Sequence, residues 1–222
     1  MLAIPRQAFS FFKGTPCALL LVAQLLGVLL YPFMEVTNTG RAAFSIFGIL
    51  VLALAVLAIR ATPLLSWVSM LIAAPAMVLL LIQAFTSDAN LFAWSAGFEA
   101  VLYFYAAVSM MAYMLKDSHV TTDELFAIGA VFTLLAWAFA YVYVVVQAIQ
   151  PGAFASPEVG SRTWVELLFL SFTILSSTGL SDILPVSSHA RSIVMIEQFA
   201  GIFYIAMVVT RLVGLNAVRT KL

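Results

Sequence analysis

The chain is poor in charge. Of its 222 residues, 10 are Lys or Arg, 10 are Asp or Glu and two are His, so 9% are charged and the formal net charge is zero. An ordinary soluble domain carries about 25% charge, and this composition excludes one. No basic excess and no Lys/Arg-rich run exists to neutralise phosphates, which excludes DNA and RNA as partners. Cysteine is nearly absent: Cys17 stands alone in an apolar run. It can form neither an intrachain disulfide nor a cysteine metal cluster, and it reads as a small buried hydrophobe. Paired catalytic carboxylates, a His/Cys cluster and a Ser/His/Asp arrangement at workable spacing are all missing, so neither an enzyme nor a cofactor is expected. There is no internal repeat of the inverted-repeat transporter kind and no low-complexity tract.

What is there is apolar: 64% of the residues are hydrophobic. Runs long enough to cross roughly 30 Å of hydrocarbon occur at Pro16–Met34, Ala42–Ile59, Leu64–Phe85, Leu91–Leu115, Leu125–Ile149 and Ser192–Leu215. Between the last two lies Thr163–Leu175, apolar but too short to span, which suits a re-entrant helix. The expected fold is an all-α membrane protein with six transmembrane helices and one short re-entrant helix followed by a polar loop. It divides into a four-helix transmembrane domain, residues 1–117, and a second domain, residues 118–222. Met1–Gly14 carries Arg6 and Lys13 ahead of an apolar run longer than a signal-peptide core, so the first run is expected to be a retained span. The segments Glu35–Arg41, Ala61–Pro63, Thr86–Asn90 and Lys116–Glu124 read as connections. Thr121 and Glu124 have capping-box spacing, as do Thr163 and Glu166, and Pro75 is expected to kink the third span.

An arrangement with both termini in the cytoplasm puts Arg6, Lys13, Arg60, Lys116, Arg219 and Lys221 inside and Arg41, Arg162 and Arg191 outside. That bias favours it. The fourth span contains no Lys or Arg, only Glu99, so gating by an arginine ladder is not expected. Glu99 in mid-span needs a partner or a wet crevice, with Gln24, Tyr103 and nearby serines as candidates; proton sensing is the alternative to a buried, hydrogen-bonded acid. Imidazoles change charge nearest neutral pH. His119 falls in a cytoplasmic turn, and His189, near Asp182 at the outer mouth, is the candidate for external pH sensitivity.

The polar hairpin Ser176-Ser177-Thr178-Gly179-Leu180-Ser181-Asp182 lies between the short helix and the last span. A permeating cation exchanges its water shell for rings of backbone carbonyls supplied by several chains. Successive carbonyls point to one axis only if alternate residues approach left-handed backbone, which glycine adopts cheaply. Gly179 has that freedom and Ser181 does not. The C-terminal end of the short helix, near Ile174 and Leu175, directs the negative end of its dipole at the cavity.

From Trp164 to Arg219 the chain resembles the pore domain of tetrameric potassium channels, especially small bacterial ones. In that family the filter reads TVGYG, followed by Asp and then Pro. The matching positions here are Ser177, Thr178, Gly179, Leu180 and Ser181, with Asp182 and Pro185 after them. Ala190-Arg191-Ser192, Glu197, Gly201, Tyr204 and Arg211-Leu212-Val213-Gly214 look like the inner helix of the bacterial members. The resemblance makes residues 118–222 a pore domain, with the short helix as pore helix and the hairpin as filter loop, and it implies a homotetramer in lipid, in a bacterial inner membrane. It also implies monovalent cations, K+ or Na+, as the only metal, held by filter carbonyls of Ser177 to Ser181. Ser177 for Thr keeps a hydroxyl at the innermost site. Leu180 for Tyr removes the phenol that ties the filter to its aromatic collar, and Ser181 for Gly adds a side chain where left-handed backbone is expected, so weakened potassium selectivity is expected. Gly201 stands at the hinge position, with close helix packing as the other reading. Ile205, Val209 and Val213 continue along that face as an apolar gate or as plain packing. Glu197 falls behind the filter as a structural carboxylate or an ion ligand, and Glu166 reads as a capping or buried partner. Asp182 concentrates cations or braces the hairpin. A non-conducting scaffold or sensor that keeps the channel fold is the alternative function.

Overall fold

A computed structural model of the protein describes residues 15–34, 38–60, 66–83, 89–116, 121–157 and 160–219. It is helical almost throughout: α1 Pro16–Met34, α2 Asn38–Arg60, α3 Ser66–Gln83, α4 Ala89–Lys116, α5 Thr122–Ile149, α6 Trp164–Leu175 and α7 Ser188–Arg219. The exception is one antiparallel pairing of two-residue strands, β1 Phe154–Ala155 with β2 Leu184–Pro185. Arg6, Lys13, His119, Lys221 and the 117/118 domain boundary lie outside the described residues.

Local chemistry accounts for the helix ends. Pro16 opens α1, where a missing N–H is no loss. Thr121 caps α5: its backbone is extended (φ −90°, ψ 161°) and its hydroxyl accepts the Glu124 N–H at 3.2 Å. Helix starts differ from the expectation at several places: α4 begins at Ala89 and α5 at Thr122, each inside an expected connection. Helix α2 begins at Asn38, inside the expected connection, and α7 begins at Ser188, four residues before the expected Ser192. The Ser187 hydroxyl accepts the Ala190 N–H at 3.2 Å, which lets α7 start before its apolar run.

Among the described residues, four helices are long and apolar enough to cross a membrane: Pro16–Phe33 within α1, Leu91–Leu115 within α4, Thr122–Ile149 and Ser188–Gly214 within α7. In α2 and α3 the described apolar stretches, Ile46–Ala58 and Trp67–Gln83, are shorter. Helix α5 is the hub, packed against α1, α4, α6 and α7. The remaining neighbours are α1 with α2, α2 with α3 and α4, α3 with α4, and α6 with α7. Of the apolar window of α5, 67% is buried within the chain, against 22% for α7. Most residues of α7 are therefore left unburied by the rest of the chain.

The join between α4 and the α5–α6 unit is aromatic. Tyr103 stands edge-on to Trp137 at 5.8 Å and stacks on Tyr141 at 5.8 Å, and Trp164 meets Trp137 at 5.1 Å and Tyr141 at 5.6 Å. Tyr31 of α1 closes the cluster at 5.5 Å from Trp164. Such rings bury large areas in fixed geometry, and here they hold the N-terminal end of α6 against the helices around it.

Candidate pore hairpin

Helix α6 is pinned at its start. The Thr163 hydroxyl accepts the Glu166 N–H at 3.4 Å while Glu166 Oε2 accepts the Thr163 N–H at 2.5 Å, a complete capping box. Glu166 Oε1 also pairs with Arg162 at 3.4 Å. The Gln147 side-chain amide bonds Arg162 twice, accepting from its N–H at 2.7 Å and donating to its carbonyl at 2.9 Å. Glu166 is thus a cap, and its side chain, 29% exposed, is half-buried rather than buried. With 12 residues, α6 is about 18 Å long at 1.5 Å per residue, well short of a membrane.

The other end of α6 closes in a Schellman turn. The Thr178 N–H reaches the Thr173 carbonyl at 2.9 Å, the Ser177 N–H reaches the Ile174 carbonyl at 3.0 Å, and Ser177 between them has φ 60°. The Gly179 N–H adds a further bond to the Thr173 carbonyl at 3.1 Å, and Gly179 has φ 64°. The expectation that Gly179 supplies the left-handed backbone holds, and it was incomplete: Ser177, two residues earlier, supplies it as well. The alternation stops there, since Ser177 is the only non-glycine residue with positive φ among the described residues. Ser181 instead turns the chain, its hydroxyl accepting the Ile183 N–H at 3.1 Å.

Ser177, Thr178, Gly179 and Leu180 are all exposed in the single chain, Leu180 by 78%. The Thr178 hydroxyl turns back to Ser176 Oγ at 3.0 Å and to the Thr173 carbonyl at 3.3 Å. The returning limb is fixed by β2 pairing with β1, by the Val186 N–H on the Ala153 carbonyl at 2.9 Å, and by Arg191 Nε on the Pro185 carbonyl at 3.1 Å. Asp182 and His189 are exposed. No ion pair joins them.

Helix α7 packs on this unit through one stripe at alternating spacings of four and three: Ala190, Val194, Glu197, Gly201, Tyr204, Val208 and Arg211. Glu197, fully buried, accepts hydrogen bonds from the Tyr143 hydroxyl of α5 and the Ser171 hydroxyl of α6. It joins three helices behind the hairpin. A methyl on Gly201 would overlap the Leu175 carbonyl oxygen and lie 2.9 Å from that residue's Cα. The Tyr204 hydroxyl donates to the Ile128 carbonyl at 2.6 Å, and Arg211 pairs with Glu124 at 3.4 Å. Ile205, Val209 and Val213 fall beside this stripe and are exposed by 42%, 53% and 63%.

Glu99, expected as a mid-span acid in need of a partner, is 1% exposed and lies beside Tyr141 of α5, which was not among its expected partners. Gln24, one expected partner, accepts the Thr133 hydroxyl on its side-chain oxygen at 2.6 Å, and its amide nitrogen makes no bond to Glu99. Thr121 and Glu124 make half of their expected capping box, because the Glu124 carboxylate is turned toward Arg211.

Residues 129–216 match a family model described as Ion channel. No curated protein and no solved structure matches the chain. The match begins within α5 and ends within α7, leaving α1 to α4 outside it. The stretch that carries the short helix, the left-handed hairpin and the packing stripe of α7 is thus similar to an ion-channel domain, a family of membrane-embedded proteins without enzymatic activity.

Proposed function

We propose that the protein is one subunit of a homotetrameric channel passing monovalent cations through carbonyls of Ser177 to Ser181, with potassium selectivity weakened by Leu180 and Ser181. The observation that carries this reading is the pair of left-handed residues, Ser177 at φ 60° and Gly179 at φ 64°, following a helix too short to cross the membrane. Irregular backbone at membrane depth is tolerated where it lines a water-filled path or is buried in protein, and alternating handedness turns successive carbonyls to one side. Four chains are needed because one hairpin cannot encircle an ion. The exposed surface of α7 supports association with other chains and with lipid.

The same reading takes α2 and α3 as the remaining two of six spans. Their 23 and 18 helical residues reach about 34 and 27 Å. It sets both termini in the cytoplasm of a bacterial inner membrane, the division near residue 117, Asp182 and His189 at the outer mouth, and Ile205, Val209 and Val213 along the inner conduit. Gating draws on no arginine ladder. Purified protein in liposomes tests the reading: cation flux with a reversal potential that separates potassium from sodium only weakly is expected. Absent flux would favour a non-conducting scaffold, a reading that the end of the left-handed alternation at Gly179 supports.

A further inference from the structure

Two adjacent acids at the start of α5 hold two different helices. Asp123 Oδ1 accepts the backbone N–H of Cys17 at 3.0 Å, taking up one of the donors that the first turn of α1 leaves without a helical acceptor. Glu124 Oε2 holds Arg211 of α7 at 3.4 Å, with the two side chains 3% and 14% exposed. Met114, Ile128, Val208 and Leu212 close around this pair, leaving a cavity of only about 10 Å³, while the other side of Arg211 borders an open groove of about 590 Å³. One turn further along α5, the Ile128 carbonyl receives the Tyr204 hydroxyl. The inner half of α7 is therefore tied to the first two turns of α5 at two points. Asp123, the residue next to Glu124, is bonded to α1.

We infer that Asp123 and Glu124 form a clamp linking α1 to the inner half of α7, so that a displacement of α1 is felt at the segment carrying Ile205, Val209 and Val213. That this segment is a gate rests on the channel reading; the clamp itself does not. The two acids share one rigid helical turn begun by the Thr121 cap. Moving Asp123 with α1 therefore reorients Glu124. A buried ion pair that loses one partner is strongly disfavoured, so Arg211 either follows Glu124 or leaves the site, and the inner half of α7 goes with it. Coupling of this kind needs an element with two positions that both ends bias.

The test uses the full chain with Cys17→Ser, which keeps the backbone donor, and spin labels at Ile149→Cys on α5 and Thr210→Cys on α7, both exposed positions. Labelled chain is diluted in unlabelled chain and reconstituted in nanodiscs. A single narrow distance peak is expected for the parent. Glu124→Gln, Arg211→Gln and Asp123→Ala should each broaden or split it, and the exchanged pair Glu124→Arg with Arg211→Glu should restore it. An unchanged peak in Glu124→Gln and Arg211→Gln, or no restoration by the exchanged pair, overturns the clamp; an unchanged peak in Asp123→Ala alone overturns the link to α1. Cation flux from liposomes bearing the parent judges the channel reading separately, since the distance peak is read whether or not the protein conducts.

Discussion

Gly201 of α7 lies against Leu175, the last residue of α6, so closely that a Cβ at position 201 would overlap the Leu175 carbonyl oxygen. The contact is with backbone, which no change of rotamer relieves. Gly201→Ala forces α7 away from α6 at an overpacking penalty of about 1–3 kcal/mol, while the better helix propensity of alanine returns about 1 kcal/mol. The net expectation is a lower thermal midpoint for the purified protein in detergent. A glycine serving only as a hinge would give the opposite result, because alanine would then stabilise the helix.

Ser177 occupies the left-handed position of the Schellman turn, where glycine is usual. A side chain there costs about 1 kcal/mol. Ser177→Gly is expected to raise the thermal midpoint, and Ser177→Ala, which keeps the strain, is not. If the hydroxyl serves the innermost ion site, both variants lower flux alike. Comparing midpoint with flux across the pair separates strain from ligation, and a Gly variant less stable than the Ala variant would refute the strain.

Glu197 receives two hydroxyl donors, from Tyr143 and Ser171, and Ser171 Oγ also lies 2.9 Å from the Ala136 carbonyl. In Glu197→Gln the amide oxygen can still accept from Tyr143, and the amide N–H can donate to Ser171 while Ser171 donates to Ala136. That variant should fold and melt close to the parent. Glu197→Leu leaves the buried Tyr143 hydroxyl without an acceptor, a loss of about 1–3 kcal/mol. Thermal melts of the two variants decide the matter: equal losses would show that charge, not hydrogen bonding, holds the three helices.

The parts of this fold that were legible in the sequence are those fixed by neighbours along the chain. Thr163 and Glu166 announce the start of α6 because a capping box is a local pattern, and Gly179 announces left-handed backbone because glycine has no Cβ. Ser177 carries no such mark; its conformation is imposed by the bonds that close α6, and serine has no special preference for it. The pairings of Glu99 with Tyr141 and of Glu124 with Arg211 join residues far apart in the chain. Spacing on one helix cannot reveal them. The early start of α7 at Ser188 escaped for a related reason, since hydropathy marks where a helix becomes apolar and not where the Ser187 cap begins it.

Leu180 and Ser181 are the positions where the hairpin departs furthest from a potassium filter, and the backbone departs with them. Left-handed geometry ends at Gly179, while the Ser181 hydroxyl is engaged with the Ile183 N–H at 3.1 Å. Ser181→Gly removes that bond and makes left-handed backbone cheap at the next alternate position. Leu180→Tyr exchanges an exposed leucine for a phenol able to bond the groups around the hairpin. On the channel reading proposed above, the two together extend the row of carbonyls facing the ion path by one ring and strengthen a preference for potassium. Bi-ionic reversal potentials in planar bilayers measure this: the double variant is expected to shift toward the potassium equilibrium potential relative to the parent, and Ser181→Gly alone part of the way. A double variant with an unchanged reversal potential would mean that these two side chains do not set the ion preference of the hairpin.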